Sequence, residues 1–599
     1  MKNWRRILWS GVLLALLVAS FSTWDSGLGA LRRVVRALER QTAPNAAIHV
    51  VEQSAVLSSA EILENPTAGH VAVIAAHRQR PTPVLMATAS PSTTVPAGAM
   101  MGTPVRGTQW GPYLEWVIEN SSYTGNPFDL VATATFTHTD SGETRETALF
   151  YAGASFWKFR FTGTRPGLWH FTTRSADSEL DGIAGSVEIR PNPNPKQAGF
   201  VSNRGNHWIR TATGSAFVPQ FVMFGGPHVY YEDAAQIDDA IQTFLVEHGF
   251  TGFHVPVFCR WFDINEAACR DINQEAPNPD LRTFAALELL ITKTYNAGGT
   301  VHLWAWGDDS RGQNPKKWGL NGTVDQRLQR YIAARLGPLP GWTVGYGFDL
   351  REWVTGQELE EWHATMQDAL GWPHLMGARG PKNKLTQLTD ALDYVSYEQH
   401  KPDYELYVKS LELNPDKAVF SEDRFRIRDE GNNKDYDMAE TRRGLWHSAM
   451  AGGVANIWGN LIGAAGANEG STNSAPYPRP EWIQTYARFF ANRFYGDMVR
   501  CNALTDGVCL KRPSNAHFLF YREDASAIAL DLATMNDPQP AVAVDTRKRY
   551  AEIKIGPLAA ESQTWEAPYP SDWAIAVGTF PTASDGLPMN TTIYLPLID

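Results

Sequence analysis

Between residues 105 and 195 apolar and polar positions alternate with period two. Trp157, Phe159 and Phe161 are interleaved with Lys158 and Arg160, and Leu130, Thr133 and Phe136 sit among small residues. Alternation sends successive side chains to opposite faces of a strand, so this pattern predicts antiparallel strands with one wet face. Asp140-Ser141-Gly142 and Pro166-Gly167 supply turns between them, and short strands at that spacing predict a β-sandwich. The run from Pro191 to Pro195, with proline at every second residue, then breaks the pattern.

From 196 to 480 short apolar runs alternate with helical segments. Eight runs stand out: Phe217 to Phe224, Phe250 to Phe258, Thr300 to Trp306, Trp342 to Asp349, His374 to Arg379, Asp393 to Tyr397, Lys417 to Glu422 and Gly453 to Trp458. Eight strands separated by helices predict a (β/α)8 TIM barrel. A doubly wound open sheet is the alternative, but no run is followed by a Gly-rich phosphate-binding turn. Beyond an aromatic helical stretch, Trp482 to Phe494, strand patterns return at 517–521, 527–532 and 551–555, so 481–599 reads as a second sandwich. The expected fold class is therefore multidomain, a central barrel with antiparallel β-sandwich domains at each end.

The first 24 residues differ from all of this. Lys2, Arg5 and Arg6 precede an uncharged stretch from Ile7 to Trp24, which reads as an export signal or a single membrane anchor. Small residues at Val18-Ala19-Ser20 suit cleavage. Residues 25–104 form a linker or low-order region, rich in Pro, Ser and Thr from Pro81 to Pro104. The expected location is extracytoplasmic, secreted or anchored at the cell surface. Four cysteines fall as two close pairs, Cys259 with Cys269 and Cys501 with Cys509, and in an exported chain such pairs predict local disulfides. Neither pair has zinc-site spacing, and no metal or other cofactor is expected.

With 64 acidic against 53 basic residues the net charge is -11, which disfavours nucleic acid as a partner. The 21 tryptophans call instead for very large cores or flat apolar surfaces that stack on a ligand, and sugars are one such ligand.

In a barrel, chemistry belongs at the carboxyl ends of strands. The polar residues closing the apolar runs are then the candidates, and two carboxylates at opposing strand ends are what glycosidic cleavage requires. Glu352 and Glu422 meet that requirement; their plainer readings are a first-turn helix acid and an ion-pair partner for Arg424 or Arg426. Arg260 and Arg379 are candidates to bind the nucleophile or a substrate carboxylate, Tyr397 and His400 to orient Glu422 or bind hydroxyls, and Asp308 to bind a sugar hydroxyl or cap a loop. Trp304, Trp306 and Trp458 share strand-end placement that suits walls of a sugar site. No Gly-x-Ser-x-Gly elbow and no His-Glu-x-x-His run occurs.

Runs four, seven and eight resemble the retaining glycoside hydrolases of clan A. The matching residues are Glu352 in Asp349-Leu350-Arg351-Glu352, Glu422 after Lys417-Ala418-Val419-Phe420-Ser421, and Trp458 in Asn456-Ile457-Trp458-Gly459. The domain order over about residues 105–585 is similar to a subgroup with an N-terminal sandwich of uncharacterised function, an apiosidase-like barrel and a C-terminal sandwich. The resemblance implies Glu352 as acid/base, Glu422 as nucleophile and Trp458 as an active-site tryptophan. That clan places Asn before the acid/base, where this chain has Arg351. The departure leaves Asp349 as a second candidate, or implies a different or anionic group on the substrate. Double displacement on a polysaccharide or oligosaccharide is expected, with the two carboxyls about 5 to 5.5 Å apart and a part-buried Glu352 of raised pKa. The rival expectation is a surface glycan-binding protein or adhesin without turnover.

Overall fold

The computed structural model describes residues 71–73 and 104–581, apart from 382–383, 386, 399–402, 426–436 and 460–475. The expected signal or anchor at 1–24, nearly all of the 25–104 segment, and His400 lie outside the described residues. No helix among the described residues is long and apolar enough to cross a membrane.

The alternation near the amino end builds two sheets. One orders its strands Val71–Val73, Leu114–Glu119, Phe156–Phe161 and Phe150–Gly153; the other orders Val105–Thr108, Ala184–Arg190, Gly167–Ser175, Ala132–His138 and Thr144–Ala148. Their inner faces share an aromatic core, in which Trp116 stacks on Phe159 at 5.2 Å and meets Phe171 at 5.1 Å. Gly142, at φ 68°, makes the turn between Ala132–His138 and Thr144–Ala148.

The polar face is exposed in the second sheet, at Thr137, His170, Thr172 and Arg174, but is covered on Phe156–Phe161 at Arg160. Arg160 is buried, its Nε donating to Glu115 at 2.8 Å and its Nη1 to Glu288 at 2.8 Å and to the Arg335 carbonyl at 2.7 Å. Glu288 and Arg335 belong to the barrel helices Leu281–Asn296 and Thr323–Leu336. The charged positions of that strand mark a seam between sandwich and barrel.

Each apolar run of the middle segment holds or begins one strand: β1 (Gln220–Met223), β2 (Gly252–Pro256), β3 (Thr300–Trp306), β4 (Trp342–Gly347), β5 (Met376–Gly377), β6 (Val395–Tyr397), β7 (Val419–Phe425) and β8 (Ala455–Trp458). They are parallel, in the order β5-β4-β3-β2-β1-β8-β7-β6. A parallel bridge between Arg379, two residues past β5, and Ser396 of β6 closes the ring. Helix starts are written locally: Asp280, Thr355, Asp403 and Asp437 each accept a backbone N–H. A hairpin, Val201–Arg204 with His207–Arg210, plugs the amino end of the barrel. Its Val201 and Trp208 join Phe221, Tyr394, Phe420 and Ile457 in the inner core.

After the helix Pro480–Phe490, six antiparallel strands make one continuous sheet. Its two longest strands, Phe518–Asp531 and Ser562–Val577, shift register between Arg522 and Ala527. Side chains from both halves, Phe520 and Ile575 with Ile528 and Leu530, share one core, so the bent sheet supplies both layers of a sandwich. It is tied to the barrel helix Met438–Met450 by the buried pair Arg442–Asp572 and by Trp446 stacked on Tyr521 at 5.1 Å. Both expected disulfides form, Cys259–Cys269 and Cys501–Cys509.

Candidate active site at the carboxyl end of the barrel

Strand parity sorts the candidates. On β3, His302 and Trp304 join the inside of the barrel; on β7, Phe420 and Glu422 do. Ser421 pairs with Asn456 of β8, but the next pair is Arg424 with Ile457, so Glu422 and Asp423 lie in a bulge of the ladder. Bulges re-aim side chains and recur beside active sites.

Glu422 is 0% exposed. Its Oε2 accepts from Trp304 Nε1 at 2.9 Å and its Oε1 from the Tyr394 hydroxyl at 3.0 Å, with His302 Nε2 3.3 Å from Oε1. Among the described residues no Lys or Arg pairs with it, so its neighbours orient the carboxyl without a permanent counter-charge. Gly345 of β4 faces it, and a Cβ there would stand 3.1 Å from Oε1. Burial, and then the charge of Glu422, push the Tyr394 phenol well above its ordinary value, which keeps it a donor. His302 Nδ1 lies 2.8 Å from His254 Nδ1, so a buried polar chain runs from β2 through β3 to Glu422.

A second tier lies at the strand ends. Arg379, buried and over the rings of Phe348 and Trp304, reaches Asp349 Oδ1 at 2.8 Å and Glu398 Oε2 at 3.3 Å. Asp349 is half-exposed and holds φ 54°, while Phe258, past β2, holds φ 58°. Left-handed backbone on non-glycine residues costs energy, and such residues gather at functional sites. Arg260 is buried in the 3-10 turn Phe258–Trp261 that follows β2. Burial first, then Arg260, pushes the His228 imidazole down to about 4.

Other sequence candidates sit elsewhere. Glu352 lies in the 3-10 turn Leu350–Glu352 and is exposed, with no side-chain partner among the described residues. The part-burial on which a raised pKa was expected is therefore missing. Tyr397 pairs with Ser421 and is buried in the outer core with Tyr404 and Tyr407, on the face opposite Glu398. Trp458 also lies on the outer side of its strand, its Nε1 donating to Gln220 at 2.6 Å, while Ala455 and Ile457 face inward. Trp306, the last residue of β3, shares the parity of His302 and Trp304 but packs on Phe262 at 6.3 Å, in the large cluster that holds Val301, Leu303 and Ala305. Asp308 serves its own loop: Oδ1 accepts from Ser310 at 2.8 Å and Arg311 N at 2.7 Å, and Oδ2 pairs with the Arg311 side chain.

The structure thus gathers Glu422, Trp304, Arg379 and Asp349 from the candidates and adds His302, Tyr394 and Glu398, while Arg260 and His228 influence each other beyond β2 and β1. Glu398 had a signal in the sequence, since a strand that buries Tyr397 outward must send its next residue inward. His302 had one too, as a polar residue two positions before Trp304 in an apolar run. Among the described residues no group of three or more His, Cys, Asp or Glu is placed to hold a metal ion.

A family profile described as a domain of unknown function, DUF5060, matches residues 107–176, within the N-terminal sandwich. No curated protein sequence matches the chain. Among solved structures, the chain is similar to a protein of Bacteroides vulgatus provisionally described as a glycoside hydrolase. The likeness has TM-score 0.62 and 15% identity, covering 79% of this chain and 100% of that one. Further matches are a chain described as a glycoside hydrolase, at TM-score 0.49 and 13% identity over 64% of this chain and 98% of that one, and a family 5 glycoside hydrolase of Bacteroides vulgatus, at TM-score 0.48 and 13% identity over 66% and 95%. At these identities the first likeness shows the fold, a barrel between two flanking sheet domains.

Proposed function

We propose that this protein is a glycoside hydrolase acting by retention at the carboxyl end of its barrel, with Glu422 as nucleophile and Glu352 as acid/base. The observation that carries this is Glu422 itself: a buried carboxylate in a strand bulge, aimed inward and held by the Trp304 indole N–H and the Tyr394 hydroxyl. A buried carboxylate with no Lys or Arg partner among the described residues is costly, and a purely structural one would be expected in such a pair. In the first step a Glu422 oxygen attacks the anomeric carbon while Glu352 gives its proton to the departing glycosidic oxygen. In the second, Glu352 takes a proton from water, whose oxygen displaces Glu422. Asp349 is committed to Arg379, whereas Glu352 has no such tie, which favours Glu352 as the proton carrier. Solved relatives described as glycoside hydrolases support the same activity class, with a carbohydrate as substrate.

The burial of Glu422 and the exposure of Glu352 favour a second reading, a barrel that binds glycans at the cell exterior without turnover. Cleavage itself separates them, and two measurements then test the mechanism. Proton NMR of the first product released from a cleaved glycan is expected to show the anomeric configuration of the substrate; the opposite anomer excludes double displacement. Glu352→Gln is expected to lower kcat by about 100-fold or more, in the range of a lost general acid. Loss with Asp349→Asn but not with Glu352→Gln would reassign the acid/base to Asp349. Saturable glycan binding with no cleavage in the parent establishes the second reading.

A further inference from the structure

At the opposite end of the barrel from Glu422 lies a cleft of about 440 Å³, within the size range of small-molecule sites. Its floor is formed by residues that precede β1, β2 and β3, namely Phe217 and Val218, Gly249 and Thr251, and Gly298. One wall is the plugging hairpin, and the other is the carboxyl end of the helix Pro480–Phe490 with the turn after it. From Thr300 to Trp304 along β3 is four residues, about 13 Å, so this cleft is separate from the candidate active site.

Its charge is unlike that of the chain. Three arginines, Arg204, Arg210 and Arg512, line it against one acid, Asp497, in a protein of net charge -11. Arg512 is neutralised by Asp497 at 2.8 Å. Arg210 is not: it is 7% exposed, and among the described residues its guanidinium donates to neutral oxygens, Thr300 Oγ1 at 2.5 Å and the Gly298 carbonyl at 3.5 Å. It also lies 4.1 Å from the centre of the Phe217 ring. No carboxylate among the described residues reaches it, and burial pushes it down to about 10. An unpaired buried guanidinium is expensive, and a bound anion is the direct way to offset that cost. Arg204, exposed on the hairpin and without an ion pair among the described residues, adds a second positive charge at the same cleft.

We propose that this cleft is a binding site for a carboxylate-bearing sugar, a uronic acid unit, with Arg210 as the buried anchor for the carboxylate. A planar carboxylate matches the guanidinium fork. The apolar body of a sugar ring suits the aromatic lining, where Phe494 and Phe490 stand beside Ser215 and Asn492 as hydroxyl partners. The site stands independently of hydrolysis at the other end of the barrel.

Titration of the full chain with glucuronate and galacturonate, beside glucose and inorganic phosphate, tests it. The expected result is saturable one-to-one binding of a uronate that raises Tm, no shift with glucose, and weaker binding of phosphate. Arg210→Gln is expected to weaken uronate binding about 10- to 100-fold, the range of a hydrogen bond to a charged group. Arg204→Ala, at an exposed position, is expected to weaken it several-fold and keeps the test decisive if Arg210→Gln does not fold. Arg379→Ala, at the far end, is expected to leave it unchanged. No uronate binding at about 1 mM overturns the proposal. So does phosphate binding as tightly as uronate, binding unaffected by both Arg210→Gln and Arg204→Ala, or binding lost in Arg379→Ala.

Discussion

At the scale of single residues, the account turns on what surrounds Glu422. Trp304→Phe keeps an aromatic ring, though a smaller one, and removes the 2.9 Å hydrogen bond to the carboxylate. If Glu422 is the nucleophile, that change is expected to lower kcat/KM by about 10- to 100-fold with little change in fold, since bonds to charged groups contribute about 1.5–3 kcal/mol; steady-state kinetics beside circular dichroism checks both halves. His374 gives a prediction in pH. Buried between the carbonyls of Gly337 and Trp342, its imidazole is pushed by burial from 6.5 down to about 4. The unfolded chain therefore takes up the proton first as pH falls, so stability is full above about 6.5 and drains away towards 4. Urea unfolding at pH 7 and pH 5 should show a loss of about 2 kcal/mol that His374→Gln lacks. The strand-end carboxylates and arginines were legible in the sequence because run ends are easy to see. Parity within a three- or four-residue strand was not, which is why Tyr397 and Trp458 were expected inside while Glu398 was passed over. With so few positions per strand, one-residue uncertainty in register reverses every facing.

At the scale of elements, all eight barrel strands were readable, because a parallel strand buried on both sides is a short unbroken apolar run between helical stretches. β5 is the weakest of them, only Met376–Gly377, yet the Arg379–Ser396 bridge beyond it closes the ring. The 3-10 turn Phe258–Trp261 that carries Arg260 is held by the disulfide Cys259–Cys269, across a separation of ten residues. In a chain-entropy estimate a loop of that size contributes about 3 kcal/mol. Replacing both cysteines by serine is expected to lower thermal stability accordingly, measured by calorimetry. It should also weaken substrate binding more than the equivalent change at Cys501–Cys509, which lies in the C-terminal sheet.

At the scale of the whole molecule, the flanking sheet domains are joined to the barrel by buried charge. Burial pushes the Glu288 carboxyl up, but Arg160 and Arg335 prevail and hold it at about 2, below its ordinary 4.5. The stability this contributes is complete above about 4.5 and is lost as pH falls towards 2. Arg160→Met, which breaks the cluster from the sandwich side, is expected to cost about 3–5 kcal/mol, because it leaves Glu115 and Glu288 short of a buried partner. Chemical denaturation should show it as a lower midpoint for sandwich and barrel together; a midpoint shift confined to the sandwich would mean that the two unfold separately. The sequence showed Arg160 only as one polar tooth of an alternating strand, since a solvated face and a face seated on charged helices read alike until the partner is placed.

The most direct test of the account is reducing-sugar release from a broad glycan panel by the parent protein and by Glu422→Gln under identical conditions. The account predicts release from at least one glycan by the parent and loss of that release, by at least about 1,000-fold, in Glu422→Gln, whose carboxylate can no longer attack. Release that survives Glu422→Gln would contradict the assignment of the nucleophile, and retained glycan binding without release from any member of the panel would contradict the hydrolase itself.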